Sequence, residues 1–452
     1  MKRGAATRMH EQIYRWLAVL RCPACHGPLT LTAAASMRAL GCPACGTSFE
    51  ILDQIPCLLA RERLAGLASF CAQYDDLRLR EGWASAVPGY YQHLPFRDLS
   101  GAHVAEWRLR AQSFQFLQKW LKQNHGRSSL RILDLGAGSG WLSRRLAEQH
   151  AVLALDVNAG PHGLAALPAN QRRFLAVQAE LEQPPLAAAS FEVVIANASL
   201  HYARDPAQCF TEAARVLRPG GQFIVMDSPV YPTQEAAQAA ARRSAAYYAE
   251  HGVPGLAQNY GGLTDELFTA QNHFRFVRLR RDFVTRELMV KWLREKTGSA
   301  VAARFPIWIG ERLPQPQENW KPGRPRAGAV LVHNRHLLTY RCLVEGREVW
   351  RIPGGGIEPT ETPAQAVQRE LHEELGLRIT LQRQFGPYHQ PCKTDWYFLA
   401  AADGAALPTN HAQPPEDNCL VQWLPLASLA DFDVRPPALK WELVEYFNHH
   451  DA

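Results

Sequence analysis

The sequence predicts a multidomain α/β protein, and three observations carry that expectation. It has 452 residues, 47% of them hydrophobic and 20% charged, an ordinary globular composition with length for about three domains. Two Cys-Pro-Ala-Cys pairs open the chain, at Cys22 to Cys25 and Cys42 to Cys45. Further on, buried-strand patterns twice lead towards helices: Leu130 to Leu135 runs into a glycine-rich turn, and AGAVLV from Ala327 precedes a glutamate-rich helix. These signals place a small cysteine module at 10–60 and a helical connector at 61–103. A larger α/β domain follows at 104–312, then a proline-rich linker at 313–323 and a last domain at 324–448.

Composition excludes a largely disordered chain. The net charge is +6 for 50.6 kDa, with both signs interspersed, which permits an acidic partner without demanding one. The opening MKRGAATRMHEQIYRWLAVLRCP lacks the apolar core of a secretory signal, because Arg15 interrupts it. No window reaches the roughly 18 uninterrupted apolar residues of a membrane span. A cytoplasmic protein without membrane association is the expectation. Of ten cysteines, four form the two pairs and six are scattered, with no disulfide framework expected.

Cys22, Cys25, Cys42 and Cys45 follow a C-x2-C-x16-C-x2-C spacing. Each pair can set two thiolates on one knuckle, and two knuckles complete a tetrahedral sulfur site suited to Zn2+. Four protein ligands leave no open position, so the zinc is expected to be structural. Gly27 and Gly46 fall where a knuckle can need an unusual backbone angle. With the closing Phe49-Glu50-Ile51 and Ile55-Pro56, the segment resembles the zinc ribbons that activate tRNA, rRNA and protein methyltransferases. Such ribbons contact a partner domain or a substrate.

Residues 61–130 carry helical periodicity and many aromatics, among them Tyr74, Tyr90, Tyr91, Trp107 and Phe114, expected mostly in cores, with a substrate-facing lid as the weaker alternative. A buried strand then reaches Asp134, and Gly136, Gly138 and Gly140 turn into a helix near Trp141. Glycines let backbone approach a ligand, and the helix start offers free N–H groups. The next strand, AVLALD, ends at Asp156, where a carboxylate can accept ribose hydroxyls. This much does not separate a dinucleotide site from an S-adenosylmethionine site. Buried FEVVIAN and the helix–Pro-Gly-Gly–strand run EAARVLRPGGQFIVMDSP extend the pattern. Together these motifs resemble class I S-adenosyl-L-methionine-dependent methyltransferases across about 104–312.

That resemblance implies a Rossmann-like domain of seven strands, the last antiparallel. It implies that the motif opened by Asp134, with Gly136, Gly138 and Gly140, cradles the methionine part of the cofactor. Asp156 would hold the ribose, Glu180 would lie near the adenine, and Asn197 at the mouth. The stretch Asn197-Ala-Ser-Leu-His201-Tyr202 departs from the Asn/Asp-Pro-Pro-Tyr/Phe signature of enzymes acting on base nitrogens, and looks more like small-molecule methyltransferases. His201 is a candidate general base with an ordinary near-neutral pKa, or a residue that orders its loop. The run Arg275, Arg278, Arg280, Arg281 and Arg286 reads as an exposed strand face.

In the last domain, Gly355, Glu361 and Arg369-Glu370-Leu371-His372-Glu373-Glu374-Leu375-Gly376-Leu377 match G-x5-E-x7-R-E-U-x-E-E-x-G-U, with U apolar. Thr362-Pro363-Ala-Gln365 reads as a capped helix start and Gly376 as its left-handed stop. Val367, Leu371 and Leu375 should face the core, while Glu370, Glu373 and Glu374 share an arc of about 100°. Carboxylates so close repel unless a cation joins them, and oxygen ligation favours Mg2+ or Mn2+ over zinc. The pattern resembles the Nudix hydrolases, an α/β/α fold, over about 324–448. The resemblance implies that these glutamates, with the Gly355 carbonyl, hold the metal on a diphosphate. Glu370 or Glu374 would assist as base, and Glu361 would pair with Arg369. Glu416 is a weaker candidate.

The expected whole is a bifunctional enzyme. One site transfers a methyl group to a small-molecule oxygen or nitrogen acceptor, and the other hydrolyses a nucleoside diphosphate-linked substrate with Mg2+. The rival is an RNA-modifying methyltransferase whose ribbon and arginines grip nucleic acid, with an accessory Nudix domain; a non-catalytic, nucleotide-sensing Nudix module is the remaining alternative. Nothing in the residues sets the oligomeric state.

Overall fold

The computed structural model describes residues 12–34, 37–126, 128–279, 303–313, 324–344, 347–389, 393–404, 407–409 and 419–449. Arg280, Arg281, Arg286, Glu416 and linker residues 314–323 lie outside them. The chain divides into two units, Arg21–Asn319 and Trp320–Ala452 with Met1–Leu20.

In the first unit the cysteine knuckles lead into an antiparallel sheet of β1 (Thr30–Ala34), β2 (Met37–Gly41), β3 (Ser48–Leu52) and β4 (Ile55–Pro56). The left-handed residue of the first knuckle is His26, and Gly46 is its counterpart in the second. Gly27, expected to play that part, instead lies tight against sulfur: a β-carbon there would come within 3.3 Å of Cys25 Sγ and Cys42 Sγ. Beyond β4, Cys57 bridges Gln178 in parallel, and Arg172 pairs with Asp53 at 2.9 Å. The ribbon thereby covers the edge strand to which Gln178 belongs, a place where unpaired backbone groups otherwise face solvent.

Three helices follow: α1 (Arg61–Glu81), α2 (Tyr90–His93) and α3 (Val104–His125). Next come β5 (Arg131–Leu135), α4 (Trp141–Leu146), β6 (Ala151–Asp156), β7 (Leu175–Gln178), β8 (Phe191–Asn197), α5 (Pro206–Val216) and β9 (Leu217–Met226). The unit continues with β10 (Val230–Tyr231), α6 (Gln234–Glu250), β11 (Leu263–Thr264), α7 (Asp265–Thr269), β12 (Phe274–Leu279) and β13 (Ile307–Arg312).

A seven-stranded sheet forms in the order β12-β13-β9-β8-β5-β6-β7, in which only β13 runs against its neighbours. Strands β5 and β8 are buried throughout, as parallel strands covered on both faces require. Ile132, Val193, Ile195 and Ile224 pack there with Phe114 and Trp141. The expected Pro219-Gly220-Gly221 turn is absorbed into β9 as a register break: Phe191 faces Leu217, but Val193 faces Gln222. On edge strand β12, Arg275 is exposed and Arg278 pairs with Asp265 at 2.9 Å.

The second unit contains β14 (Arg326–His333), β15 (His336–Val344), β16 (Arg347–Arg351), β17 (Gly354–Gly356), α8 (Pro363–Leu375), β18 (Ile379–His389), β19 (Thr394–Ala402), β20 (Cys419–Pro425), β21 (Val434–Arg435) and α9 (Pro437–His449). Its strands run β18-β19-β14-β15-β16-β21, with β17 paired to β14 and β20 to β15. Residues 12–16 are helical and belong here rather than to the ribbon, from which the sequence did not part them. Tyr14 donates to Glu445 Oε2 at 3.1 Å, and Ile13, Trp16 and Leu17 are buried.

One cysteine expectation is corrected. The register sets Cys342 of β15 opposite Cys419 of β20, and the two form a disulfide with Cα atoms 4.3 Å apart. No described helix is long and apolar enough to cross a membrane.

Candidate functional sites

Parallel strands present their carboxyl ends along one edge of a sheet, and loops leaving that edge form the natural ligand crevice. After β5, Gly136 adopts φ +78°, and a β-carbon on it would collide with the Ser199 side chain. The Gly136 and Ala137 N–H groups both donate to the Leu155 carbonyl, at 2.8 and 3.0 Å. Asp156, at the end of β6, secures the same loop: its carboxylate accepts from the N–H of Gly138 and of Asn158, both at 2.8 Å. Enclosure raises the Asp156 pKa above the usual carboxylate range.

A cavity of about 1460 Å³ opens over this edge, and Gly136, Gly138, Asp156, Glu180, Asn197 and His201 all line it. Glu180 holds Arg63 at 2.6 Å and Arg204 at 3.1 Å. Asn197 donates to Asp227 Oδ2 at 3.3 Å. Two of the expected cofactor residues stand behind the wall instead. Asp134 is 1% exposed and accepts from the Ser143 hydroxyl at 2.7 Å, and burial pushes its pKa up to about 7. Gly140 caps α4 with its φ at +71° and abuts Phe174. Both shape the glycine loop without reaching the cavity, because the strand end and helix start that carry them are packed from behind.

The expectation of a near-neutral His201 is corrected by its surroundings. Burial, then the charges of Arg78 and Arg110, push it down to about 3, so it is a neutral and weakly basic imidazole. Its Nδ1 lies 3.2 Å from the Ser228 hydroxyl, and its ring contacts Tyr202 and Tyr260.

The facing wall corresponds to the weaker of the two sequence readings, a substrate-facing surface. In the helical connector at 61–103, α1 lends Tyr74 and Arg78 to the cavity. Tyr91 and Trp107 line it too, whereas Tyr90 and Phe114 are core as expected. Arg78 donates to Tyr202 Oη at 2.7 Å and pairs with Glu81 at 2.6 Å. Asp227 follows the end of β9 and accepts from Ser113 at 2.6 Å. Its place after a central strand was a usable signal; Arg78 and Arg110 carry no comparable mark.

The four cysteine sulfurs lie within 4.8 Å of one another, with Cys22–Cys45 at 3.6 Å and Cys25–Cys42 at 3.4 Å. A zinc–sulfur bond of about 2.3 Å implies a tetrahedron with edges of about 3.8 Å. The donor set therefore fits Zn2+. Among the described residues it is the only His, Cys, Asp or Glu group gathered that closely.

The glutamates of the second unit are arranged differently. Thr362 and Gln365 form a reciprocal capping box, Pro363 opens α8, and Gly376 ends it in the left-handed region. Val367 and Leu371 are fully buried and Leu375 packs partly buried beside them. Arg369 is the hub of the polar side: it reaches Glu361 at 2.7 Å, Glu370 at 2.8 Å and Glu373 at 3.0 Å. The bond to Arg369 holds the Glu361 carboxyl below its ordinary range. Glu374 instead accepts from Tyr340 Oη at 2.9 Å. The cation beside Glu361, Glu370 and Glu373 is thus an arginine of the same helix. Gly355 passes so close to Glu370 that any β-carbon would strike its carboxylate. Three carboxylates beside a close-passing backbone form an oxygen-only donor set suited to a hard divalent cation.

Residues 133–225 match the methyltransferase domain family, and residues 322–443 the NUDIX domain family. An RNA pyrophosphohydrolase of Saccharophagus degradans is 31% identical over 152 residues, covering 28% of this chain and 89% of that protein. A malonyl-[acyl-carrier protein] O-methyltransferase of Hahella chejuensis is 35% identical over 96 residues, covering 21% of this chain and 34% of that protein. The chain thus spans about a third of that methyltransferase relative. The solved YcgJ protein of Bacillus subtilis shares 13% identity at a TM-score of 0.34, over 45% of this chain and 100% of that one. The chain belongs to the Nudix family and also carries a methyltransferase domain. Both domains lie in one polypeptide.

Proposed function

We propose that the first unit transfers a methyl group from S-adenosyl-L-methionine to an oxygen or nitrogen of a small molecule. The second unit hydrolyses a nucleoside diphosphate-linked substrate. The observation that carries the first part is the single cavity of about 1460 Å³ joining the glycine loop to an aromatic and arginine wall. That volume suits a nucleoside cofactor beside one further small ligand. Gly136 and Gly138 approach the methionine portion, Asp156 offers its free lone pairs to ribose, and Glu180 borders the adenine end. When bound, the cofactor supplies an already activated methyl group. The protein's part is to orient the acceptor and exclude water.

In the second unit, Glu370, Glu373, Glu374 and the Gly355 carbonyl are the residues that would hold Mg2+ or Mn2+. Such an ion neutralises a diphosphate and activates water. Glu361 positions Arg369, which would release Glu370 and Glu373 to such an ion. Glu370 or Glu374 takes up the proton of the attacking water. The cysteine quartet holds a structural Zn2+. One zinc per chain is expected to survive dialysis, and serine at Cys22 and Cys42 to abolish it, read by metal analysis.

The name of the Saccharophagus relative, whose length is covered to 89%, favours a second reading in which the Nudix substrate is RNA bearing a pyrophosphate. Supplying methyl-labelled S-adenosylmethionine and the full-length protein to a cell extract, then separating RNA, protein and small molecules, tests the methyl acceptor. Label in the small-molecule fraction is the expected result. Label in RNA would replace it with an RNA-directed enzyme.

A further inference from the structure

Resting on the methyltransferase reading above, the cavity wall narrows the class of acceptor. Arg110 comes from α3, with its guanidinium carbon 4.8 Å from the centre of the Trp83 ring and 4.6 Å from that of Trp107. Unlike Arg78, which has Glu81 and Tyr202, Arg110 has no hydrogen bond or ion pair among the described residues. Asp227 attracts it from a distance, but both oxygens of that carboxylate are engaged, by Ser113 and Asn197. An arginine stays charged even when enclosed. The cavity therefore holds a cation whose donors lack an acceptor, on an indole platform that fixes its plane.

Arg110, with no acceptor of its own, opposes a cationic methyl acceptor and attracts an anionic one. The basic groups point the same way. His201 is too weak a base to deprotonate a hydroxyl, and Asp227 is occupied. An acceptor that arrives already deprotonated needs neither.

We propose that the methyl acceptor is a carboxylate held by Arg110, and that the product is a methyl ester. A carboxylate oxygen forms the new bond to the methyl carbon, and the carbon–sulfur bond breaks with its electron pair left on sulfur. An anion and a sulfonium become two uncharged centres, and no proton moves. Loss of opposite charges is favoured where water is excluded. Arg110 orients the carboxylate, while Asn197 and Asp227 mark the cofactor side of the same cavity.

The test extends the labelling experiment with the full-length protein. Methyl esters release their label as volatile methanol in mild alkali, whereas methyl ethers and methylamines retain it. The expected result is alkali-released label. R110Q should lower its formation at least about tenfold, the scale of a lost charged hydrogen bond, and Arg110→Lys should restore part of it. S-adenosylhomocysteine affinity, measured by calorimetry, should stay unchanged in both variants and shows that each is folded. Alkali-stable label would overturn the carboxylate assignment while leaving small-molecule methyl transfer standing. Undiminished ester formation by R110Q would overturn the role of Arg110. A wild-type protein that binds no S-adenosylhomocysteine would instead overturn the methyltransferase reading beneath both.

Discussion

Residues around the methyltransferase cavity come from positions as distant as Arg63 and Arg304, carried on helices, strand ends and loops. In the Nudix unit, by contrast, Glu361, Arg369, Glu370, Glu373 and Glu374 lie on one helix and the turn before it. The two plans place strain and charge differently. A distributed site can enclose polar groups from all sides, and His201, Asp156 and Asp227 all show pKa values moved by burial. A single helix face stays open to water, and there neighbouring charges dominate, as in Arg369 and Glu361.

The sharpest way to break this contrast is to substitute one member on each side. Glu374→Gln should lower diphosphate hydrolysis by a factor on the order of 10² to 10⁴, with label transfer by the same protein unchanged. A fall in both would mean that the sites are coupled. Asp156→Ala is the reciprocal change. It removes the acceptor for the Gly138 and Asn158 N–H groups and should weaken S-adenosylhomocysteine binding roughly tenfold or more, leaving hydrolysis intact. Equal calorimetric affinity would show that Asp156 serves only the loop.

A smaller effect distinguishes enclosure from open charge. The pKa of His201 is about 3 in the folded chain, below the roughly 6.5 of an unfolded histidine. Between those values the unfolded chain binds the extra proton. The stability gained by keeping His201 neutral is therefore complete above about pH 6.5 and is lost as pH falls towards 3, by at most about 1.4 kcal/mol per pH unit. Urea unfolding at pH 7.5 and pH 5 should show a steeper acid loss for wild type than for His201→Asn. Parallel losses would mean that the imidazole titrates freely. The smallest effect belongs to the helix itself: Thr362→Ala should cost about 1 kcal/mol through the lost cap, measured by thermal unfolding of the Nudix transition.

The sequence by itself determined whatever depends on near neighbours in the chain. The knuckle spacing brought the four cysteines together, and the Thr362 cap, the Gly376 stop and the Glu361–Arg369 pair stand where the helical repeat puts them. The strand ending in Asp156 and the glycine turn before α4 were legible for the same reason, since each is one strand, one turn and one helix. Tertiary structure alone decided which enclosed groups face a ligand. Asp134 and Gly140 share a motif with Gly136 and Gly138 yet stand behind the wall, because Asp134 still belongs to buried β5 and Gly140 caps α4 against Phe174. Trp83, just beyond the end of α1, and Arg110 of α3 meet only in the folded chain, and the fall in the His201 pKa depends on arginines 91 or more residues away. Local pattern sets which chemistry a segment can carry. Desolvation and charge are properties of everything that closes around it, and those the chain acquires only on folding.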